Sequence, residues 1–127
     1  MDFKNINWNT KTYNELINYL YSLKDIQYKE FNDKIVNTKL TTIGVRIPLL
    51  RKIAKEISKS DYQKLFDYLK DTNIYEVIFI KGLLITKIKD FNLFKEYLKQ
   101  YLNEADNWAL IDMIANSINI KYYNKEE

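Results

Sequence analysis

The sequence predicts an all-α fold, and three observations carry that prediction. Apolar residues recur at three- and four-residue intervals along almost the whole chain, the period of a helix with one buried face. The 127 residues include 2 Gly and 1 Pro, where average usage gives about 9 and about 6. A β-rich chain depends on such turn residues, and they are missing here. The length suits one domain with a modest core, so residues 1–127 are read as a single unit.

Taken in order, Thr12 with Glu15 fits a capping box for a first helix carrying Leu16, Leu20 and Leu23. A second helix runs through Tyr28, Phe31 and Ile35, and residues 37–45 form the longest loop-like stretch. The third begins near Ile47 with Pro48 in its first turn, burying Leu50, Ile53, Ala54 and Ile57. Ser60 can cap a fourth carrying Leu65, Phe66 and Leu69. Asn73, with Glu76 three residues later, can cap a fifth over 74–88. That segment is rich in Val and Ile but too long for a typical strand, so it reads as a helix buried on most sides. The sixth uses Phe91, Phe94, Leu98 and Leu102. The seventh starts after Asp106, a good cap, and runs to about Asn119, with an apolar face of Leu110, Ile111, Ile114 and Ile118.

Helices three, five and seven start near 47, 74 and 107, one helical hairpin per step. The spacing of about 30 residues suggests a solenoid of HEAT/ARM-like repeats, whose usual period is ~40, against an irregular bundle. The last apolar face is followed by Lys-Tyr-Tyr-Asn-Lys-Glu-Glu rather than by a hairpin partner. The expectation is therefore the N-terminal portion of a longer superhelix, or self-association through the uncovered last helix.

With no Cys and no His, disulfides, thiolate and imidazole catalysis and the usual zinc sites are excluded. The two glycines exclude phosphate-cradling glycine loops, and neither a metal nor a cofactor is expected. The start of the chain lacks an apolar signal segment, and the most apolar stretch, Val77 to Ile85, is interrupted by Lys81. A cytoplasmic protein with no membrane partner is expected. The net charge is +3, but residues 34–59 hold seven basic residues and one acid, Glu56. Such a segment can attract a polyanion, although on charge alone a solvated Lys-rich surface is the plainer reading.

Two segments stand out. In Ile43-Gly44-Val45-Arg46-Ile47-Pro48-Leu49-Leu50-Arg51, a loop leads into the third helix, and Arg51, Lys55 and Lys59 follow at i, i+4, i+8. Those cations stand about 6 Å apart along the axis, comparable to the phosphates of a nucleic-acid strand. An exposed, solubilising helix face is the plainer alternative. In Asn107-Trp108-Ala109-Leu110-Ile111-Asp112, Trp108 and Asp112 are one turn apart, opposite the Leu/Ile face. Either the helix displays a tryptophan beside a carboxylate, or Trp108 is half-buried between repeats and Asp112 is merely solvated.

In this order and about 60 residues apart, the motifs Ile43-Gly44-Val45-…-Pro48-…-Arg51 and Asn107-Trp108-…-Asp112 resemble the DNA alkylation repair family. Within it, the likeness is to the HEAT-like-repeat DNA glycosylases of the AlkD type. It extends upstream through Tyr28-Lys29-Glu30-Phe31-Asn32 and covers the chain from about residue 13. The resemblance implies excision of cationic alkylated purines such as 7-methylguanine and 3-methyladenine from double-stranded DNA. It implies a catalytic role for Asp112, a lesion-facing Trp108, Arg46 near the lesion, and Arg51, Lys55 and Lys59 on the DNA backbone. It also implies a conserved arginine and a second aromatic in later repeats, beyond this chain. The alternative is a helical-repeat scaffold that binds DNA or a protein without chemistry.

Overall fold

The computed structural model describes residues 2–70 and 72–126, with side chains through residue 118. The described residues form seven helices and no strand: α1 Thr10–Ser22, α2 Ile26–Ile35, α3 Ile47–Ile57, α4 Gln63–Phe66, α5 Tyr75–Ile85, α6 Phe91–Glu104 and α7 Trp108–Glu126. The chain is all-α, as its periodicity and lack of turn residues predict.

Every residue of α5 is buried, including Glu76 and Lys81, and α3, α6 and α7 pack around it. A helix apolar on all sides must be surrounded by others. Its one mid-helix glycine marks the closest approach. A Cβ on Gly82 would lie 2.7 Å from both Met113 Cε and a Tyr101 ring carbon. Tyr101 is buried and donates its hydroxyl to the Leu110 carbonyl at 2.7 Å, joining α6 to α7. Burial pushes that phenol far above its ordinary range. Lys81, inside α5, meets Glu104 Oε1 of α6 at 2.8 Å, so the charge that interrupts the apolar stretch is paired.

The face expected for α3 is the one observed, with Leu50, Ile53, Ala54 and Ile57 all buried. Elsewhere the packing departs from the sequence pattern. In α2 no residue is fully buried, and Phe31 and Ile35 face solvent rather than the core. In α6, Phe94 and Tyr101 are buried while Phe91 and Leu102 are exposed. The fourth helix shrinks to a single turn, although Leu65, Phe66 and Leu69 are buried as expected. Leu110 and Ile114 of α7 are buried and Ile118 packs against the core, so most of the last apolar face is covered within the chain; Ile111 is exposed. Backbone helix continues past Asn119 to Glu126. The side chains of the polar stretch 121–126, and residue 127, lie outside the described residues.

The caps also shift. The α1 box is formed by Asn9 and Thr12, not by Thr12 and Glu15: Asn9 Oδ1 accepts from Thr12 N, and Thr12 Oγ1 accepts from Asn9 N. Ser60 caps nothing, because its hydroxyl donates to the Ile57 carbonyl and accepts from Trp8 Nε1. Trp8 belongs to a segment before α1 that also buries Phe3. The side chain of Asn73 does not cap α5. Thr41 N bonds the Asn73 carbonyl and Tyr75 N bonds the Thr41 carbonyl, so the 37–45 loop itself closes the α5 start.

Candidate functional site

The site is built where the 37–45 loop crosses the starts of α3, α5 and α7. At one end of the loop, Gly44 has φ +100°, the left-handed region that favours glycine. A Cβ there would also meet Lys29 Cβ at 2.6 Å. The close approach lets Asp25 N donate to the Gly44 carbonyl at 2.9 Å. Buried Glu76 then receives the loop's amides: Ile43 N on Oε1 at 2.9 Å, and Gly44 N and Val45 N on Oε2 at 3.0 and 3.4 Å. A carboxylate accepting several N–H groups is satisfied without a counter-cation.

This anchored turn delivers Arg46 to the start of α3. Arg46 is not free. Its guanidinium meets Asp25 Oδ2 through Nε and Nη2 at 3.1 and 3.0 Å and lies 5.2 Å from the centroid of the Tyr28 ring. The Tyr28 amide and the Arg46 guanidinium together hold the Asp25 carboxyl below its usual range.

At the other end of the loop, Asp106 Oδ1 accepts from Thr38 Oγ1 at 2.6 Å and Oδ2 accepts from Lys39 N at 2.8 Å. Burial opposes the charge of Asp106, but the bonds from Thr38, Asn107 and Lys39 outweigh it and hold the carboxyl below its usual range. Asp106 is therefore a latch on the loop and not the α7 cap. That role falls to Asn107, whose Oδ1 accepts from Leu110 N at 3.1 Å. An open depression of about 540 Å³ lies beside the latch, lined by residues including Lys29, Asn37, Thr38 and Thr41. None of the sequence-predicted site residues lines it.

The latched start of α7 displays Trp108 and Asp112 on one face, both exposed. Trp108 Nε1 points at the Ile35 carbonyl at 3.5 Å, the long end of hydrogen bonding. Among the described residues the Asp112 side chain makes no hydrogen bond or ion pair. The adjacency predicted from the i, i+4 spacing is therefore present. Arg46 is not brought to it. Arg46 sits at the N-terminal end of α2 and Trp108 at its C-terminal end, about 13 Å apart along the axis by helical rise.

The basic stripe is only partly helical. Arg51 and Lys55 lie in α3 and are exposed, with the Arg51 guanidinium 5.9 Å from the Phe79 ring centroid. Lys59 follows the Ser58 C-cap, where Lys59 N bonds Glu56 O and Ser60 N bonds Ile57 O. It projects from that turn and not from the next turn of the helix. No cluster of acidic side chains suited to a metal ion occurs among the described residues. Nor is any described helix long and apolar enough to cross a membrane.

The sequence pattern of DNA alkylation repair enzymes matches residues 16–127, which include the loop, the stripe and the Trp108–Asp112 face. The chain belongs to the DNA alkylation repair enzyme family. No curated protein and no solved structure matches it. Membership makes alkylated DNA the partner and its repair the task of this family member. The match begins after Phe3 and Trp8, so the segment that buries them is outside it.

Two positioning carboxylates, Glu76 and Asp106, were not legible as such. Glu76 carried a signal, because a lone acid inside an apolar helical run has to be satisfied by something. Asp106 carried none, since Asp before a helix reads first as a cap.

Proposed function

We propose that the chain acts as a DNA glycosylase of the AlkD type on cationic N-alkylated purines, such as 7-methylguanine and 3-methyladenine. One observation supports this reading above all: in a family that repairs alkylated DNA, an exposed Trp108 stands one turn from an exposed Asp112 whose side chain has no partner among the described residues. Alkylation leaves a positive charge on the purine ring. When the N-glycosidic bond breaks, its electron pair goes to the purine and discharges that ring. The sugar carbon becomes oxocarbenium-like, and an ionised Asp112 beside it stabilises the cation and orients the incoming water. Water adds to the sugar carbon and releases its proton to solvent. The Trp108 face attracts the cationic base by cation–π interaction. Arg51, Lys55 and Lys59 hold backbone phosphates on either side, and Arg46, when released from Asp25, adds a further phosphate contact.

The test is release of methylated purine from alkylated duplex DNA. Asp112→Asn is expected to abolish release and leave DNA affinity unchanged; full release by that variant overturns the assignment. The pairing of Arg46 with Asp25, away from Trp108, favours a second reading, a scaffold that binds DNA without chemistry. It requires no release by the wild-type chain, together with binding that weakens by roughly one log unit per phosphate contact per tenfold rise in salt.

A further inference from the structure

The face of α2 that the sequence pattern assigns to the core is an outward ridge. Phe31 is 62% and Ile35 47% exposed, and at i, i+4 they are neighbours on one side of the helix. Trp108, 54% exposed, leans on the Ile35 carbonyl, and Ile111, 43% exposed, follows one turn along α7. Two exposed apolar pairs, Phe31 with Ile35 and Trp108 with Ile111, thus meet where Trp108 reaches the Ile35 carbonyl, and together they call for an occupant. The charges beside them say which kind. Lys34 adjoins Ile35, and Lys39 is carried to the α7 start by the Asp106 latch. Both are exposed, and neither forms an ion pair among the described residues. Aromatic faces for stacking between free cations for phosphate are what a single-stranded nucleotide step needs.

We infer that the Phe31–Ile35–Trp108 ridge receives one unstacked nucleotide of the DNA, with Lys34 and Lys39 gripping the phosphates that flank it. This deepens the reading of Trp108 and Asp112 given above and rests on it for DNA as the partner. It extends the interface onto α2, away from the Arg51–Lys59 stripe. The inference does not require excision, so it is tested on unmodified DNA.

The probe is a fluorescently labelled duplex with one unpaired nucleotide, measured by anisotropy against the same duplex fully paired. The wild-type chain is expected to favour the unpaired site. Phe31→Ala is expected to reduce that preference about tenfold, the scale of one lost base–aromatic stack. Ile26→Ala removes an equally exposed side chain from α2, about 140° around the helix from Phe31, and is expected to leave it unchanged. Lys34→Gln with Lys39→Gln is expected to weaken the duplex with the unpaired nucleotide more than the paired one and to lower its salt slope by about 2. All four positions are exposed, so these variants retain the fold.

Three results overturn the inference: no preference in the wild-type chain, a preference that survives Phe31→Ala, or a wild-type dimer that Phe31→Ala converts to monomer. The last assigns the ridge to a second copy of the chain. Its failure is separable from that of the glycosylase reading. Excision lost in Asp112→Asn with the preference intact in Phe31→Ala sinks the ridge alone. No excision by any chain, with the preference lost in Phe31→Ala, sinks the chemistry alone.

Discussion

The two ends of the 37–45 loop are held by the same chemistry in opposite surroundings. At one end the Glu76 carboxylate takes three backbone amides inside the protein. At the other, the Asp106 carboxylate takes one backbone amide and one hydroxyl of the loop at the surface, besides the neighbouring Asn107 side chain. Water can replace the Asp106 bonds if they break. It cannot reach the Ile43–Val45 amides without opening the core. Donors stranded by losing a buried acceptor cost far more than donors returned to solvent, so the inner anchor fixes the fold and the outer one fixes the site.

The sharpest way to break that contrast is Glu76→Gln. It keeps the shape but turns an amide donor toward donors, and it is expected to destabilise the chain by about 3 kcal/mol, read as thermal melting roughly 10 °C lower. An unchanged melting temperature removes Glu76 as the inner anchor. Gly44→Ala comes next. Positive φ and the Lys29 contact together predict about 2 kcal/mol of destabilisation by denaturant titration. Asp106→Ala is expected to cost about 1 kcal/mol, yet it should alter the Trp108 emission more than either core variant does per unit of stability lost.

Acid offers a gentler probe of the same latch. The Asp106 carboxyl is held below the ordinary Asp value of about 3.9. Below that pH the unfolded chain binds its proton before the native one does, so the stabilisation is complete above about pH 4 and disappears as pH falls through the lowered value. The emission of Trp108 should follow that loss, and Asp106→Asn should remove this step from the titration. The smallest effect is expected from Asp112→Asn. A side chain with no partner among the described residues should change stability by less than about 0.5 kcal/mol in either direction.

The legibility of the sequence follows from the same distinction between inside and outside. The α3 face could be read because Leu50, Ile53, Ala54 and Ile57 keep helical spacing opposite charged residues. The burial of α5 could be read because nearly every residue in it is apolar. The adjacency of Trp108 and Asp112 needed only the helical period. Phe31 and Ile35 misled because spacing identifies which residues share a face but not whether anything covers it. The caps misled because Ser, Thr, Asn and Asp suit several local bonds equally well. Tertiary partners decided among these: Trp8 for Ser60, Thr38 for Asp106, and the Thr41 backbone for the start of α5.

The chain has only two glycines, and neither position has room for a Cβ atom. One closes the loop against α2, and the other lets α6 and α7 approach α5. Glycine is the cheapest place for a backbone to pivot, and here both are committed to packing. Neither glycine is therefore free to act as a hinge when the chain meets DNA. A bend of 40–90° over a binding site requires on the order of 1–6 kcal/mol, and duplex weakened at a damaged base yields that deformation most readily. A surface whose two glycines are both committed to packing can in this way sort DNA by how easily it bends, before any base is read.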